Sequence, residues 1–125
     1  DKAGKLRFPG LPPIPGLYRM VLISGDATIR PRWYIGESDN LRRRLGNYRN
    51  PGGRQLTSIR INSVLISHLQ EGGTVSLSIA IRATVDTGSG TGPLDLTRKA
   101  ARLLAENAAL GVARDAAVVD IENLG

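Results

Sequence analysis

The sequence WYIGESDNLRRRLGNY, residues 33–48, determines the fold that we predict for the chain. It predicts a strand that ends at Gly36 and, after a tight turn, a short basic helix. Ser, Asp and Asn at positions 38–40 are residue types that accept hydrogen bonds from the free amide groups at a helix start. The first turn of this helix is therefore expected close to residue 41.

One face of the predicted helix combines two leucines with an arginine and a tyrosine. Spacing of i, i+3, i+4 and i+7 places four residues on that face: Leu41, Arg44, Leu45 and Tyr48. Because the leucines make it the inward face, one guanidinium and one phenol are expected to go inward with them. With Tyr34 on the preceding strand, these polar groups have the composition of half an active site.

The pattern extends upstream and defines a resemblance to a known family. Gly16-Leu17-Tyr18 precedes Tyr34-Ile35-Gly36, and Asn40-Leu41 and Arg44 follow at fixed offsets. In these residues the chain resembles the GIY-YIG nuclease family, whose pattern is a GIY strand, a YIG strand, a helix carrying an arginine and a later helix carrying one glutamate. The match is close over residues 16–49 and looser from there to the C-terminus.

The resemblance implies an activity, a cofactor and a set of site residues. The activity is hydrolysis of phosphodiester bonds in DNA by an endonuclease that uses Mg²⁺, for which Mn²⁺ can substitute. The implied catalytic residues are Tyr18, Tyr34, Arg44, Tyr48, Glu106 and Asn123. Asn107 competes with the last of these for its position.

Each implied residue has a role in the hydrolysis. Arg44 binds the scissile phosphate, and Glu106 holds the metal ion. We expect Tyr18 to be the general base, while Tyr34 and Tyr48 hydrogen-bond the water, the base or the phosphate. Because tyrosine has an ordinary pKa of about 10, this role requires that the metal ion and Arg44 lower the pKa of the base.

The same residues also have structural explanations that the sequence leaves open. Tyrosines commonly complete a core, and Arg44 can pair with a carboxylate or a backbone carbonyl. Glu106 can form a surface ion pair with Arg102 at i, i+4 spacing, worth about 0.3–0.5 kcal/mol. Glu37, directly after the YIG motif, would repel a phosphate unless it binds metal or pairs with an arginine at positions 42–43.

Positive charge is concentrated around the motif. Residues 30–60 hold eight arginines against Glu37 and Asp39, whereas the rest of the chain carries nine basic and nine acidic residues, so this stretch accounts for the net charge of +6. Arginine forms forked contacts with phosphate, and such a concentration favours a polyanionic partner over a merely solvated surface. We expect the partner to be DNA, and double-stranded rather than single-stranded. The arginines expected to contact it are Arg32, Arg42, Arg43, Arg49, Arg54 and Arg60.

Composition limits the class of protein. A chain of 125 residues with 41% hydrophobic residues is expected to form one globular domain, and it has no apolar run long enough to span a membrane. It has no cysteine, which excludes disulfides and thiolate metal sites and fits a reducing compartment, so we expect a cytoplasmic protein. The chain begins at Asp1 rather than methionine, as expected of a processed product or a piece of a longer protein.

Hydrophobic periodicity predicts an α+β fold. The order β-β-α-α-β-α gives a small three-stranded antiparallel sheet flanked by helices, which is also the layout that the resemblance implies. His68, the only histidine, shares a helix face with Leu65 and Leu69 and is expected to be a buried structural residue. Strands are predicted over 17–24, 28–36 and 74–83, and helices over 41–49, 55–70 and 94–113.

Two segments are predicted to lack regular structure. Residues 1–16 are rich in proline and glycine and predict an extended basic arm, either a linker or a nucleic-acid contact. Residues 17–125 then form a single GIY-YIG-like nuclease domain. Within it, residues 87–93 contain three glycines and predict a flexible loop.

Other functions remain open at this point. A non-catalytic nucleic-acid-binding domain would keep the fold and the arginines, although binding alone needs no carboxylate such as Glu106. A toxin-type nuclease module and an RNA-directed nuclease are further alternatives. An aromatic content of 4% leaves few side chains for base stacking, which disfavours RNA. With one site per chain, a double-strand break requires a dimer on the DNA or two sequential nicks.

Overall fold

An antiparallel sheet forms the centre of the fold. The structure is a computed structural model that describes residues 5–86, 88–116 and 120–121. In the described residues, no helix combines the length and apolar character of a membrane span. The elements in chain order are β1 (Gly16–Ile23), β2 (Arg32–Ser38), α1 (Leu41–Arg49), α2 (Leu56–Gln70), β3 (Thr74–Ala80), β4 (Thr84–Asp86), β5 (Thr91–Pro93), α3 (Lys99–Ala116) and β6 (Asp120–Ile121).

Strand β1 lies in the middle of the main sheet. It pairs antiparallel with β2 on one side and with β3 on the other, in a register that places Tyr18 opposite Gly36 and Met20 opposite Tyr34. The predicted α+β fold with a three-stranded antiparallel sheet is thereby confirmed. Strand β6 adds two residues parallel to the outer edge of β2. Strands β4 and β5 pair with each other as a separate ribbon, so the prediction of a loop over residues 87–93 is wrong for β5.

Local hydrogen bonds explain two element boundaries that differ from the prediction. Strand β2 begins at Arg32 rather than at residue 28, because Pro31 lacks a backbone donor and Asp26 turns the chain by accepting from the Thr28 amide at 2.9 Å. Helix α3 begins at Lys99 rather than at residue 94. Asp95 accepts from the backbone and the hydroxyl of Thr97, and such a turn competes with helix.

The helices lie on opposite faces of the sheet. Helices α1 and α2 cover one face, where the side chains of β1 and β2 that alternate inward form the larger core cluster with Leu41, Leu45, Ile61 and Leu65. Helix α3 covers part of the other face through Leu110 and Ala113, which pack on Ile35 and Trp33. The first two positions of the YIG motif thus face different layers.

The N-terminal segment packs on the domain. Residues 5–15 contain no helix or strand, as the prolines predict, yet Leu6 and Leu11 are buried in the larger core cluster. The carbonyls of Pro12 and Ile14 accept hydrogen bonds from the first two amides of α1. The described part of the predicted arm is therefore packed against the domain and bonded to the start of α1. The division of the chain at residue 16 stays a prediction.

Candidate active site

The three tyrosines of the chain meet on the α1 side of the sheet. The hydroxyl of Tyr18 lies 2.5 Å from that of Tyr48, and the hydroxyl of Tyr34 lies 3.4 Å from Tyr48. The ring centroids of Tyr18 and Tyr34 are 6.0 Å apart. Two neighbouring strands and one helix thus deliver a phenol each to a single hydrogen-bonded cluster.

Glycine at position 36 makes room for this cluster. Tyr18 lies opposite Gly36 on the neighbouring strand, and a Cβ atom at Gly36 would lie 2.3 Å from the Tyr18 hydroxyl oxygen. Any side chain at this position would push the tyrosine away from Tyr48. The glycine of the YIG motif therefore has a steric role in this chain.

Helix α1 supplies the guanidinium of the site. Asn40, one of the three capping candidates at positions 38–40, caps the helix by accepting from the Arg43 amide at 3.0 Å. The Arg44 Cζ atom lies 4.9 Å from the centroid of the Tyr48 ring, a cation–π distance. Burial opposes its charge, but hydrogen bonding to Tyr18 and the nearby phenols outweigh that effect and raise the pKa of Arg44 above its ordinary value.

The phenols are deeply buried, which affects their ionisation. Tyr18, Tyr34 and Tyr48 expose 2%, 6% and 0% of their surface. Burial raises the pKa of Tyr18 above its ordinary value, although contacts with Tyr48 and Arg44 act in the opposite direction. Burial likewise raises the pKa of Tyr48. Arg44 therefore acts in the expected direction but does not by itself outweigh desolvation, and a lowering of the pKa by Arg44 together with a metal ion stays a prediction.

A polar cleft of about 490 Å³ opens beside the phenol cluster. One wall is α1, the floor is the end of β2, and the opposite wall is the start of α3. Arg43 pairs with Asp39, and Arg102 Nε donates to Glu37 Oε2 at 2.7 Å. These pairs leave two positive charges among the lining residues, which are Glu37, Ser38, Asp39, Arg43, Arg44, Asn47, Lys99 and Arg102.

Arg102 ties α3 to the sheet. It is 6% exposed, and its Nη1 donates to the carbonyls of Leu96 at 3.0 Å and Thr97 at 3.1 Å. The partner of Glu37 is thus an arginine 65 residues away and not Arg42 or Arg43, the two arginines that the sequence offered as alternatives to a metal ion. The alternative in which Arg102 pairs with Glu106 on the surface is also not observed, because Arg102 turns inward.

Glu106 lies one helical turn beyond Arg102, next to the α3 wall. It is half-buried, and burial together with the charge of Glu37 raises its pKa, while Lys99 opposes the shift. Among the described residues it has no hydrogen bond or ion pair with the phenol cluster. The structure thus brings Tyr18, Tyr34, Tyr48 and Arg44 together, whereas Glu106 lies on α3 and is not among the residues that line the cleft.

Asn123 is the remaining predicted catalytic residue, and Asn107 is its competitor. Asn123 lies outside the described residues. Asn107 is exposed on α3. His68 is 6% exposed, and its Nε2 lies 2.9 Å from the Thr74 carbonyl and 3.1 Å from the Ile23 carbonyl, so it donates to the backbone as the predicted structural residue.

Carboxylate oxygens are typical protein ligands of Mg²⁺. Within the described ranges, no three acidic, histidine or cysteine side chains form a metal-binding group. Mg²⁺ commonly binds one or two carboxylates and fills its octahedron with water and substrate phosphate. Glu106 is a half-buried carboxylate and fits that requirement as a single protein ligand, whereas Glu37 is paired with Arg102.

The arginines predicted to contact nucleic acid divide into different environments. Arg42 donates to the Leu11 carbonyl at 2.7 Å, and Arg49 donates to the Leu6 carbonyl, so both hold the N-terminal segment. Each guanidinium has five N–H donors, so these bonds to carbonyls leave donors over, and the contacts of Arg42 and Arg49 with phosphate stay a prediction. Of the others, Arg43 lies at the cleft, Arg32 lies near His68 in a separate pocket, and Arg54 and Arg60 are exposed.

Lys99 and Arg102 are cleft residues that the sequence did not single out as binding residues. Both lie on the helix that carries Glu106, seven and four residues before it. These are the spacings that place side chains on one face of a helix. The spacing therefore indicates that Lys99, Arg102 and Glu106 share a helix face, but it does not indicate that this face turns toward the sheet.

Similarity to known proteins is low. No protein-family model matches the chain, and no curated protein matches it. Among solved structures, the chain is similar to a mutant of bacteriophage T4 EndoII, with 20% sequence identity over 84% of this chain and 77% of that chain and a TM-score of 0.49. Membership of the GIY-YIG family stays a prediction from the motif.

Proposed function

We propose that this chain is a Mg²⁺-dependent DNA endonuclease that hydrolyses phosphodiester bonds. The observation that carries the proposal is the convergence of three phenols and Arg44 beside a cleft with an excess of positive charge. A tyrosine core needs no cation for its packing. An anionic substrate whose charge grows in the transition state does need one.

Arg44 is suited to a phosphate. The guanidinium of Arg44 packs on the face of the Tyr48 ring. The pKa of Arg44 stays above the ordinary value, and the side chain lines the cleft. A guanidinium held in place before the substrate arrives stabilises developing charge without reorganisation at the moment of reaction. In the proposal it orients the scissile phosphate and stabilises the extra negative charge of the transition state.

Tyr18 is the proposed general base. Its hydroxyl contacts both Tyr48 and Arg44, and both contacts favour the phenolate over the neutral phenol. Burial favours the neutral form, so only a small fraction of Tyr18 is ionised near neutral pH. Tyr34 and Tyr48 hold that hydroxyl in position through the shared hydrogen-bond cluster.

Glu106 is the residue that this chain contributes to a metal site. When bound, a divalent cation would supply Lewis-acid stabilisation to the leaving oxygen. The half-buried Glu106 carboxylate lies close to the charge of Glu37, and a cation would relieve the repulsion between them. Mn²⁺ has the same preference for oxygen ligands and is expected to substitute.

Nicking of supercoiled plasmid tests this proposal. The wild-type chain is expected to nick DNA in Mg²⁺ and to stop when EDTA is added. Glu106→Ala is expected to abolish nicking and to keep DNA binding, whereas Glu71→Ala removes an exposed acid at the end of α2 and serves as the matched control. Equal nicking by Glu106→Ala and wild type would refute the assignment of the metal ligand.

A non-catalytic nucleic-acid-binding domain is the second candidate. The burial of all three tyrosines favours it, because a general base has to reach the attacking water. This candidate predicts binding of DNA without cleavage under any metal condition. The same assay with RNA as substrate tests the RNA-directed and toxin-type alternatives.

A further inference from the structure

We propose that Lys99 and Arg102 bind a second phosphate of the DNA strand, next to the phosphate on Arg44. The inference rests on the proposed function, because it requires that a nucleic acid enters the cleft. It adds a binding position on α3, opposite the wall that carries the motif.

The charges of the cleft lie on both walls. After the Arg43–Asp39 and Arg102–Glu37 pairs are formed, the cationic side chains without an acidic partner among the lining residues are Arg44 on α1 and Lys99 on α3. A single phosphate on Arg44 would leave Lys99 without a counter-charge inside the cleft, because Glu106, whose carboxylate the charge of Lys99 reaches, does not line it. A nucleic-acid strand presents a negative charge about every 3.4 Å along the duplex axis, so it can satisfy both walls.

Arg102 is held in place for this role. Its Nε is fixed by Glu37 and its Nη1 by two backbone carbonyls, while its Nη2 has no hydrogen bond to any residue that the structure describes. The side chain is buried yet lines the cleft. A guanidinium that is already immobilised loses little conformational entropy when it binds an anion.

The size of the cleft also suits more than one phosphate. Its volume is about 490 Å³, and it extends from α1 to the start of α3. Polar side chains line most of it, including Asn47, whose side-chain amide can donate hydrogen bonds. The lining fits a run of phosphates better than an apolar ligand.

Salt dependence of DNA binding tests the second phosphate position. Fluorescence anisotropy of a labelled duplex is measured in EDTA over a range of NaCl concentrations for wild type, Lys99→Ala and Arg98→Ala. Arg98 is the matched control, because it is exposed, carries the same charge one residue earlier and does not line the cleft. Loss of one phosphate contact lowers the slope of log K against log salt by about 0.9.

The expected result is that Lys99→Ala lowers this slope by about 0.9 and Arg98→Ala leaves it unchanged. Arg102→Lys keeps the charge but loses the Nη2 donor, so it is expected to weaken binding about tenfold with little change in slope. Equal slopes for Lys99→Ala and Arg98→Ala would overturn the inference. A free deoxynucleoside triphosphate that displaces the duplex at concentrations below the Kd of the duplex would also overturn the inference. The cleft would then bind free nucleotides more tightly than it binds DNA.

Plasmid nicking by the same proteins separates this inference from the proposed function. A chain that shows the lowered slope but never nicks DNA in Mg²⁺ supports the second phosphate position and refutes the nuclease. A chain that nicks DNA but shows equal slopes supports the nuclease and refutes the second position. No binding of DNA by the wild type refutes both.

Discussion

The two walls of the cleft are built in different ways. The α1 wall consists of motif residues that pack into the core, where Arg44 lies on the ring of Tyr48 and the hydroxyl of Tyr18 reaches across Gly36. At the cleft, the α3 wall is held by the buried ion pair between Arg102 and Glu37, while Leu110 and Ala113 pack on the sheet further along the helix. The comparison teaches that packing fixes the proposed catalytic residues, whereas electrostatics fix the opposite wall.

Arg102→Met is the substitution with the largest expected effect on stability. It leaves the Glu37 carboxylate buried without its partner and removes the donor to two carbonyls of the turn before α3. Breaking a buried pair from one side costs about 3–5 kcal/mol. Urea unfolding measures the loss, and Arg98→Met, at an exposed position, is the control, expected within about 0.5 kcal/mol of wild type. Similar unfolding midpoints for both variants would show that the α3 wall does not depend on the pair.

Gly36→Ala tests the packing of the other wall. The added Cβ would collide with the hydroxyl of Tyr18, so the phenol cluster has to move, at a cost of about 1–3 kcal/mol and with a loss of nicking. Gly46→Ala is the matched control in α1, where nothing lies within 4 Å of the new Cβ. It is expected to stabilise the chain by about 0.4–1 kcal/mol. Equal stability of the two variants would contradict the steric role of Gly36.

The pH dependence of cleavage distinguishes the phenol cluster from the acidic side of the cleft. Because the pKa of Tyr18 is raised, the phenolate fraction grows about tenfold per pH unit throughout the range below that pKa. The single-turnover rate is therefore expected to rise with unit slope from pH 7 to about 9.5. A plateau that begins near pH 6 would assign the base to a group of lower pKa, such as a carboxylate.

Glu106→Gln has the smallest expected effect on stability. The folded state raises the pKa of Glu106, so the ionised carboxylate destabilises the fold above that pKa, and the cost disappears as the pH falls below the ordinary value of about 4.3. Glutamine removes the charge and is expected to stabilise the chain at pH 7 by less than about 1 kcal/mol, since the group is only half-buried. Thermal unfolding at pH 7 and pH 3.5 checks this. A lower melting temperature than wild type at pH 7 would contradict it.

The motif predicted one wall well because its information is local. Strand alternation and helical spacing are enough to bring Tyr34, Arg44 and Tyr48 to one side, and the cap at Asn40 sets the start of α1. The antiparallel pairing of β1 with β2 then adds Tyr18. The position of these four side chains therefore depends mostly on local structure and on one strand pairing.

The other wall depends on a contact between residues distant in sequence. Periodicity marked a polar stripe on α3 but not the direction in which it faces. In the structure Arg102 is buried, while Leu103 and Leu104 are 40% and 52% exposed. The reason is the pair with Glu37, which a helical pattern by itself does not reveal. The capture of Arg42 and Arg49 by carbonyls of the N-terminal segment escaped prediction for the same reason.

The most direct test of the central claim compares cleavage and binding in Arg44→Ala. The substitution removes the guanidinium from the phenol cluster, and Arg82→Ala, an exposed arginine after β3, removes the same charge elsewhere. We predict that Arg44→Ala lowers the single-turnover nicking rate in Mg²⁺ by about 10²–10³-fold, the typical cost of losing one donor to a transition-state charge, while duplex affinity falls by less than about tenfold. Nicking by Arg44→Ala at the rate of wild type and Arg82→Ala would contradict the account.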